Sequence, residues 1–311
     1  MLCVSMSLIG LFKPKGKSGF GYLSTAEEVT AGINLAGKTI LITGCNSGLG
    51  LETARVLAMR GATIFGTART KEKADAALAA FGSQHKGFEC ELSDPKSVRA
   101  CVAAVTKTGV KLDALICNAG IMALPKLEKA YGYELQFFTN HIGHFILVTG
   151  LIDKLTETGR VVMLSSSAHS MAPKGGIVFD NLSGDKGYTP WGQYGQSKLA
   201  NLLFAKELSR RFAGTKRTAN ALHPGVIKTN LGRHMPAIAH AVFGVVGPLF
   251  LKTIPQGAAT QCYVAVHGDN AAVSGEYFAD VNIAKPRADA NDAAIAAKLW
   301  QVSEEIVNKL G

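Results

Sequence analysis

Lys38-Thr39-Ile40-Leu41-Ile42-Thr43-Gly44-Cys45-Asn46-Ser47-Gly48-Leu49-Gly50-Leu51-Glu52-Thr53-Ala54 decides how the rest of this chain is read. A short unbroken apolar run that stops at glycine reads as a parallel strand buried on both faces. Helical periodicity follows from Leu49 to Arg60, and Gly61 ends it. Gly44, Gly48 and Gly50 therefore fall on a strand-to-helix turn. Glycine there lets the backbone approach a pyrophosphate, and the helix N-terminus directs free N–H groups at it. The spacing is G-x-x-x-G-x-G, not G-x-G-x-x-G. A tight turn alone also uses glycines, but this cluster follows the first strand of an alternating fold. The expected dinucleotide contacts in the loop are Gly44, Asn46, Ser47, Gly48, Leu49 and Gly50.

Outward from that loop, apolar runs at 62–67, 87–92, 112–117, 160–165 and 217–222 alternate with helical patterns at 71–81, 94–106, 134–155 and 193–212. A last strand is expected near 275–278. This alternation predicts an α/β fold: a single-domain, Rossmann-type, doubly wound, mostly parallel seven-stranded sheet with helices on both faces. The domain is expected over 35–311, after an N-terminal extension at 1–34. Two segments interrupt the alternation, at 168–192 and 234–254. The second is apolar and punctuated by Pro236 and Pro248, and is expected to be a substrate lid.

The end of the second strand selects the nucleotide. An acid there would bind a ribose 2′-hydroxyl and favour NAD. This chain has Thr67-Ala68-Arg69-Thr70-Lys71 instead. Arg69 is suited to a 2′-phosphate, with Lys71 or Lys73 adding positive potential, so the expected cofactor is NADP(H).

Tyr194-Gly195-Gln196-Ser197-Lys198 places a phenol and an ammonium one helical turn apart. A phenol titrates near a pKa of about 10, and a fixed positive charge beside it favours the phenolate. That is the requirement for a tyrosine general acid/base.

The net charge of +10 is spread along the chain without a basic run interleaved with aromatics, which argues against nucleic acid. Six scattered cysteines suggest neither a disulfide framework nor a metal site, and point to a reducing, cytoplasmic compartment. The apolar N-terminus followed by Lys13, Lys15 and Lys17 is too short to span a bilayer. It reads either as a disordered extension or as peripheral contact with an anionic membrane.

Taken together, TGCNSGLG (Thr43 to Gly50), NAG (Asn118 to Gly120), TNHIGHF around Asn140, the serines Ser165 to Ser167, YGQSK and HPGVIKT (His223 to Thr229) resemble the short-chain dehydrogenase/reductase superfamily. SKLANLLFAKELSRR and ALHPGVIKTNL resemble its retinol dehydrogenase-like branch, which includes chloroplast-envelope relatives and lies near the protochlorophyllide reductases. The resemblance implies interconversion of a carbonyl and an alcohol, with retinoid-, steroid- or fatty-aldehyde-like substrates. Tyr194 then exchanges the proton, and Lys198 lowers its pKa and binds the nicotinamide ribose. Ser166 holds the substrate oxygen, with Ser165 and Ser167 as alternatives in the run of three. Asn140 holds a water that links Lys198 to solvent. Asn118, Ala119 and Gly120 line the adenosine-ribose side. Pro224, Gly225, Ile227 and Thr229 serve the carboxamide and phosphates. Glu91 and Leu92 stand where relatives carry Asp-Leu against adenine, so that contact is open. Dimers or tetramers through two long helices are also implied. The alternative is an NADP(H)-binding sensor or membrane-associated scaffold with little turnover. The intact set Asn140, Ser166, Tyr194 and Lys198 argues against that alternative.

Overall fold

The computed structural model describes residues 13–227 and 251–311. Eight strands form the central sheet: β1 (Thr39–Thr43), β2 (Thr63–Ala68), β3 (Lys86–Glu89), β4 (Leu112–Cys117), β5 (Leu155–Leu164), β6 (Thr218–His223), β7 (Tyr277–Ala279) and β8 (Asn282–Ile283). Their order is β3-β2-β1-β4-β5-β6-β7-β8. The pairings from β3 through β7 are all parallel, and only β8 runs antiparallel.

Every residue of β1 is buried, and its side chains divide between two cores. Leu41 joins Phe65, Phe137, Phe145, Phe204 and Trp300 on one face. Ile40 and Ile42 join Ile64, Leu57, Ala258 and Phe278 on the other. This two-sided burial explains why the strand reads as a continuous apolar run. The first core lies under α3 (Pro95–Lys107), α4 (Leu135–Leu151), α5 (Pro190–Arg211) and α7 (Ala293–Lys309). The second lies under α1 (Gly48–Met59), α2 (Lys71–Leu78) and α6 (Ile254–Val266). Helix α4 is composite: an α-turn Leu135–Phe137, a π-helical stretch Phe138–Ile142 and an α-helix Gly143–Leu151. The stretch Leu135–Lys154 is apolar enough to cross a membrane by composition, but 78% of its most apolar window is buried inside the protein, as a core helix would be.

Local chemistry starts two of the helices. The Asp94 carboxylate accepts the Lys96 N–H at 3.1 Å, with Pro95 in the first turn of α3. Thr253 and Gln256 form a reciprocal capping box on α6.

Three boundaries depart from the expectation. The sheet has eight strands rather than seven, because Asp280 and Val281 take φ of 49° and 65° and turn the chain back as a two-residue hairpin. No Asn-Gly pair marks that turn in the sequence. β5 begins at Leu155 rather than 160, through a register irregularity opposite Leu112 and Ala114. The helix expected over 134–155 is broken by the π stretch and ends in a short turn, Ile152–Lys154. Of the expected lid at 234–254, residues 234–250 lie outside the described residues. Its last part, from Leu251, is the lead-in to α6.

Candidate active site

The strand order reverses between β1 and β4, and the crevice beyond their C-terminal ends is where such sheets bind ligands. The glycine loop, the Asn118–Gly120 turn, the serine run and the His223–Ile227 segment all leave strands at that end.

The glycine loop has the shape a pyrophosphate needs. A Cβ at Gly50 would stand 2.2 Å from the Gly44 carbonyl oxygen and 2.6 Å from Asn118 Nδ2, so no larger residue fits. Ser47 is the N-cap of α1 but makes no side-chain cap bond, which leaves the first N–H groups of the helix directed outward. Asn46 and Ser47 are exposed. Arg69 is exposed immediately after β2. Lys71 is paired with Asp75, which leaves Arg69 and Lys73 as the cations at this strand end with no ion-pair partner among the described residues. Glu91 is turned inward: its carboxylate accepts the Ser93 N–H at 3.1 Å and the Ser93 hydroxyl at 2.8 Å. Leu92 beside it is buried.

A single hydroxyl ties the loop to the catalytic side. Thr43 Oγ1 accepts the N–H of Asn118 and of Ala119, both at 2.9 Å. With both lone pairs engaged, its proton goes to His144 Nε2 at 2.9 Å. His144 therefore carries its own proton on Nδ1, which donates to the Asn140 carbonyl at 2.8 Å. Burial pushes the His144 pKa down to about 4, in keeping with a neutral ring. The Asn118 side chain adds a bond to the Thr43 carbonyl at 2.8 Å.

Asn140 sits inside the π stretch, a geometry that recurs at functional sites. Its Oδ1 accepts the Ile121 N–H, and its Nδ2 donates to Ile121 O and to Ser197 Oγ, each at 2.9 Å. Ser197 Oγ in turn donates to the Tyr194 carbonyl at 2.8 Å. Asn140 thus locks the Asn118–Ile121 turn onto the tyrosine helix. A Cβ added to Gly120 would stand 2.9 Å from Asn140 Oδ1 and 3.4 Å from Lys198 Nζ, which shows how closely the three converge.

The three serines face different ways. Ser165 Oγ is buried and donates to the Lys198 carbonyl at 2.7 Å. The Ser166 side chain accepts the Ala168 N–H at 3.2 Å and stands near enough to the Tyr194 phenol to act on its pKa. Ser167 is exposed, and its N–H donates to His223 Nδ1 at 3.0 Å. Lys198 Nζ donates to the Leu164 carbonyl at 3.1 Å and lies 5.7 Å from the centre of the Tyr194 ring. Burial pushes the phenol up to about 12, with the nearby Ser166 side chain opposing it, and pushes Lys198 down to about 8. Ile227 pairs with Lys252, whose N–H donates to Val226 O at 2.8 Å, and this fixes the end of the Pro224–Ile227 segment. Thr229 lies outside the described residues.

Residues 38–237 match the family model for short chain dehydrogenase. The chain belongs to the short-chain dehydrogenase family. Among named members of that family, it is 42% identical to "Short-chain dehydrogenase TIC 32 B, chloroplastic" of Brassica napus, over 98% of this chain and 100% of the relative. It is 38% identical to retinol dehydrogenase 14 of Homo sapiens, over 88% and 87%. A solved structure of an uncharacterised protein from Mycobacterium Paratuberculosis superimposes with a TM-score of 0.74 at 35% identity, over 90% of this chain and 97% of that one. A short chain dehydrogenase from Burkholderia cenocepacia, solved in complex with NADP, shares the fold with a TM-score of 0.64 at 24% identity, over 79% and 96%.

The sequence reading singled out Tyr194, Lys198, Ser166 and Asn140, and the short-chain dehydrogenase fold brings these side chains together. Thr43 and Ser197 were not among the expected site residues. Thr43 immediately precedes the first loop glycine, and a hydroxyl at a buried strand end was the available signal. His169 is buried beside the serine run: Nδ1 donates to Ser166 O at 2.6 Å and Nε2 accepts the Arg287 N–H at 3.2 Å.

Proposed function

We propose that the chain is an NADP(H)-dependent oxidoreductase that interconverts a carbonyl and an alcohol, with Tyr194 as general acid/base and a lipophilic substrate. The observation that carries this reading is the convergence of Tyr194, Ser166, Lys198 and Asn140 beside a glycine loop shaped for a dinucleotide. When bound, NADP(H) supplies or takes up the hydride. Gly44 to Gly50, Arg69, Asn118 to Gly120, Lys198 and the Pro224–Ile227 segment are the residues that would hold it. Arg69, with no acid at that strand end, supports NADP(H) over NAD(H).

The chain's own groups handle the oxygen and its proton. Ser166 and Tyr194 present two hydroxyls to the substrate oxygen, where negative charge develops. In reduction the Tyr194 O–H bond breaks and its proton passes to that oxygen. In oxidation the proton returns. With a pKa near 12 the phenol is protonated at neutral pH, as a proton donor must be. Lys198 is largely charged there and its field eases the proton's departure. Trp191 is 39% exposed and stands edge-on to Tyr194 at 6.1 Å, and Met171 is 53% exposed on the turn after Ser166. These apolar surfaces support a lipophilic substrate, as do relatives named retinol dehydrogenases. Relatives named chloroplastic support a plastid as the site of action.

Tyr194→Phe tests the reading. Turnover of an aldehyde and ketone panel, followed by NADPH absorbance, should fall about 10²–10⁴-fold while NADPH binding stays intact. Unchanged turnover would overturn the mechanism. No turnover by the wild type, with NADPH binding retained, would favour the sensor instead.

A further inference from the structure

A cavity of about 690 Å³ lies at the opposite end of the sheet from Tyr194, where the strands begin. Its charged lining is Lys38 before β1, Arg160 in β5, and Lys216 and Arg217 before β6, against one carboxylate, Asp113 in β4. Four positive groups against one negative leave a net +3.

Asp113 is already engaged. Its two oxygens accept Lys38 Nζ at 3.1 Å and the Thr39 N–H at 2.9 Å. Arg160 uses only Nη1, donating to His267 O at 2.8 Å and Val264 O at 3.3 Å, the carbonyls at the end of α6. Arg217 donates through Nε to Thr156 O at 3.1 Å and through Nη2 to Leu155 O at 3.0 Å. Among the described residues none of Arg160, Lys216 and Arg217 has a carboxylate partner. Guanidinium donors are thus left over beside the cavity. The rest of its wall includes Leu35, Ile40, Phe212 and Val266, which are apolar.

We propose that this cavity binds an apolar carboxylate, its head against the Arg160 and Arg217 guanidinium groups and its hydrocarbon body on the apolar wall. A carboxylate matches the planar fork of an arginine. An uncharged apolar molecule leaves the cationic surplus uncompensated, and a bare inorganic anion leaves the apolar wall without a partner. Burial holds the Arg160 guanidinium below its usual pKa, as expected of a cation without a counter-charge.

The test is calorimetric titration of the full chain, saturated with NADPH, using octanoate, octanamide and inorganic phosphate as probes. Octanoate should bind, and the other two should bind at least about tenfold more weakly. Lys216→Glu reverses one wall charge, and Ala213→Trp fills the cavity from an exposed position; each should weaken octanoate by about tenfold or more. Trp191→Ala, at the rim of the candidate active site, should leave octanoate unchanged. Circular dichroism melting checks that each variant folds. The proposal is overturned by absence of octanoate binding, by equal binding of octanamide or phosphate, or by insensitivity to both cavity variants. Loss in Trp191→Ala alone would move the ligand to the active-site cleft and overturn it too.

Discussion

Thr43→Val isolates the hydroxyl that joins the nucleotide loop to Asn140. Valine keeps the volume of threonine, so no cavity opens at this fully buried position. Three bonds of 2.9 Å disappear, to Asn118 N, Ala119 N and His144 Nε2. The Asn118 N–H keeps a second partner, the Ile116 carbonyl at 3.1 Å, so two groups are orphaned, the buried His144 Nε2 and the half-buried Ala119 N–H. At about 1–3 kcal/mol for each unsatisfied group, the loss is about 2–6 kcal/mol. A tautomer change gives no relief, because a proton on Nε2 would face valine and leave a bare Nδ1 against the Asn140 carbonyl. Thr43→Ser keeps the hydroxyl and loses one methyl, a cost of about 1 kcal/mol. The ordering is thus opposite to that expected from side-chain volume. Urea unfolding midpoints of the three proteins, at unchanged slope, measure it. A valine variant as stable as the serine variant would refute the hydrogen-bonded hub.

Arg69→Ala should weaken NADPH by about 10–100-fold, the worth of charge-assisted bonds to a phosphate, and leave NADH nearly unchanged; equal losses in a fluorescence titration would sink the assignment of NADP(H). Lys198→Met tests the buried ammonium through pH. Because the folded pKa of about 8 lies below the ordinary lysine value of 10.5, the unfolded state holds the proton more tightly, and wild-type stability gains with rising pH from about 8 to 10.5 relative to the methionine variant. That gain should approach about 3 kcal/mol, with a constant penalty below pH 8, and a flat difference between the two unfolding curves would show that Lys198 is not depressed.

The parts of this fold that were legible are those where one short stretch carries its own physics. The all-buried β1, the glycine turn after it and the Asp94-Pro95 helix start each declare themselves locally. The Tyr194–Lys198 pair follows from helical spacing alone. What escaped depends on distant partners or unusual backbone. The hairpin at Asp280 and Val281 uses positive φ at residues that rarely adopt it. The π stretch at Phe138–Ile142 is hidden because an inserted residue scarcely alters the apolar pattern of a fully buried helix. The Thr43–His144 bond spans 101 residues. Ser166 could not be separated from Ser165 and Ser167 by the residues alone, because only the tertiary position of α5 distinguishes them.

The Tyr194–Lys198 spacing suggests an ammonium that lowers a phenol's pKa, yet here burial dominates both groups and moves them in opposite directions. Nζ is 5.7 Å from the ring centre, and it donates to the Leu164 carbonyl at 3.1 Å. At neutral pH the pair is therefore a neutral phenol beside an ammonium, and no carboxylate pairs with Lys198 among the described residues. A buried positive charge without a counter-ion is unfavourable at rest, and it favours any negative charge that forms nearby. In the proposed reaction the substrate oxygen would acquire that charge at the Ser166 and Tyr194 hydroxyls. In a low-dielectric site the attraction is several times stronger than in water. The burial that keeps the phenol protonated is thus also what gives the lysine its hold on the oxyanion, and catalysis needs no strongly acidic tyrosine in the resting protein.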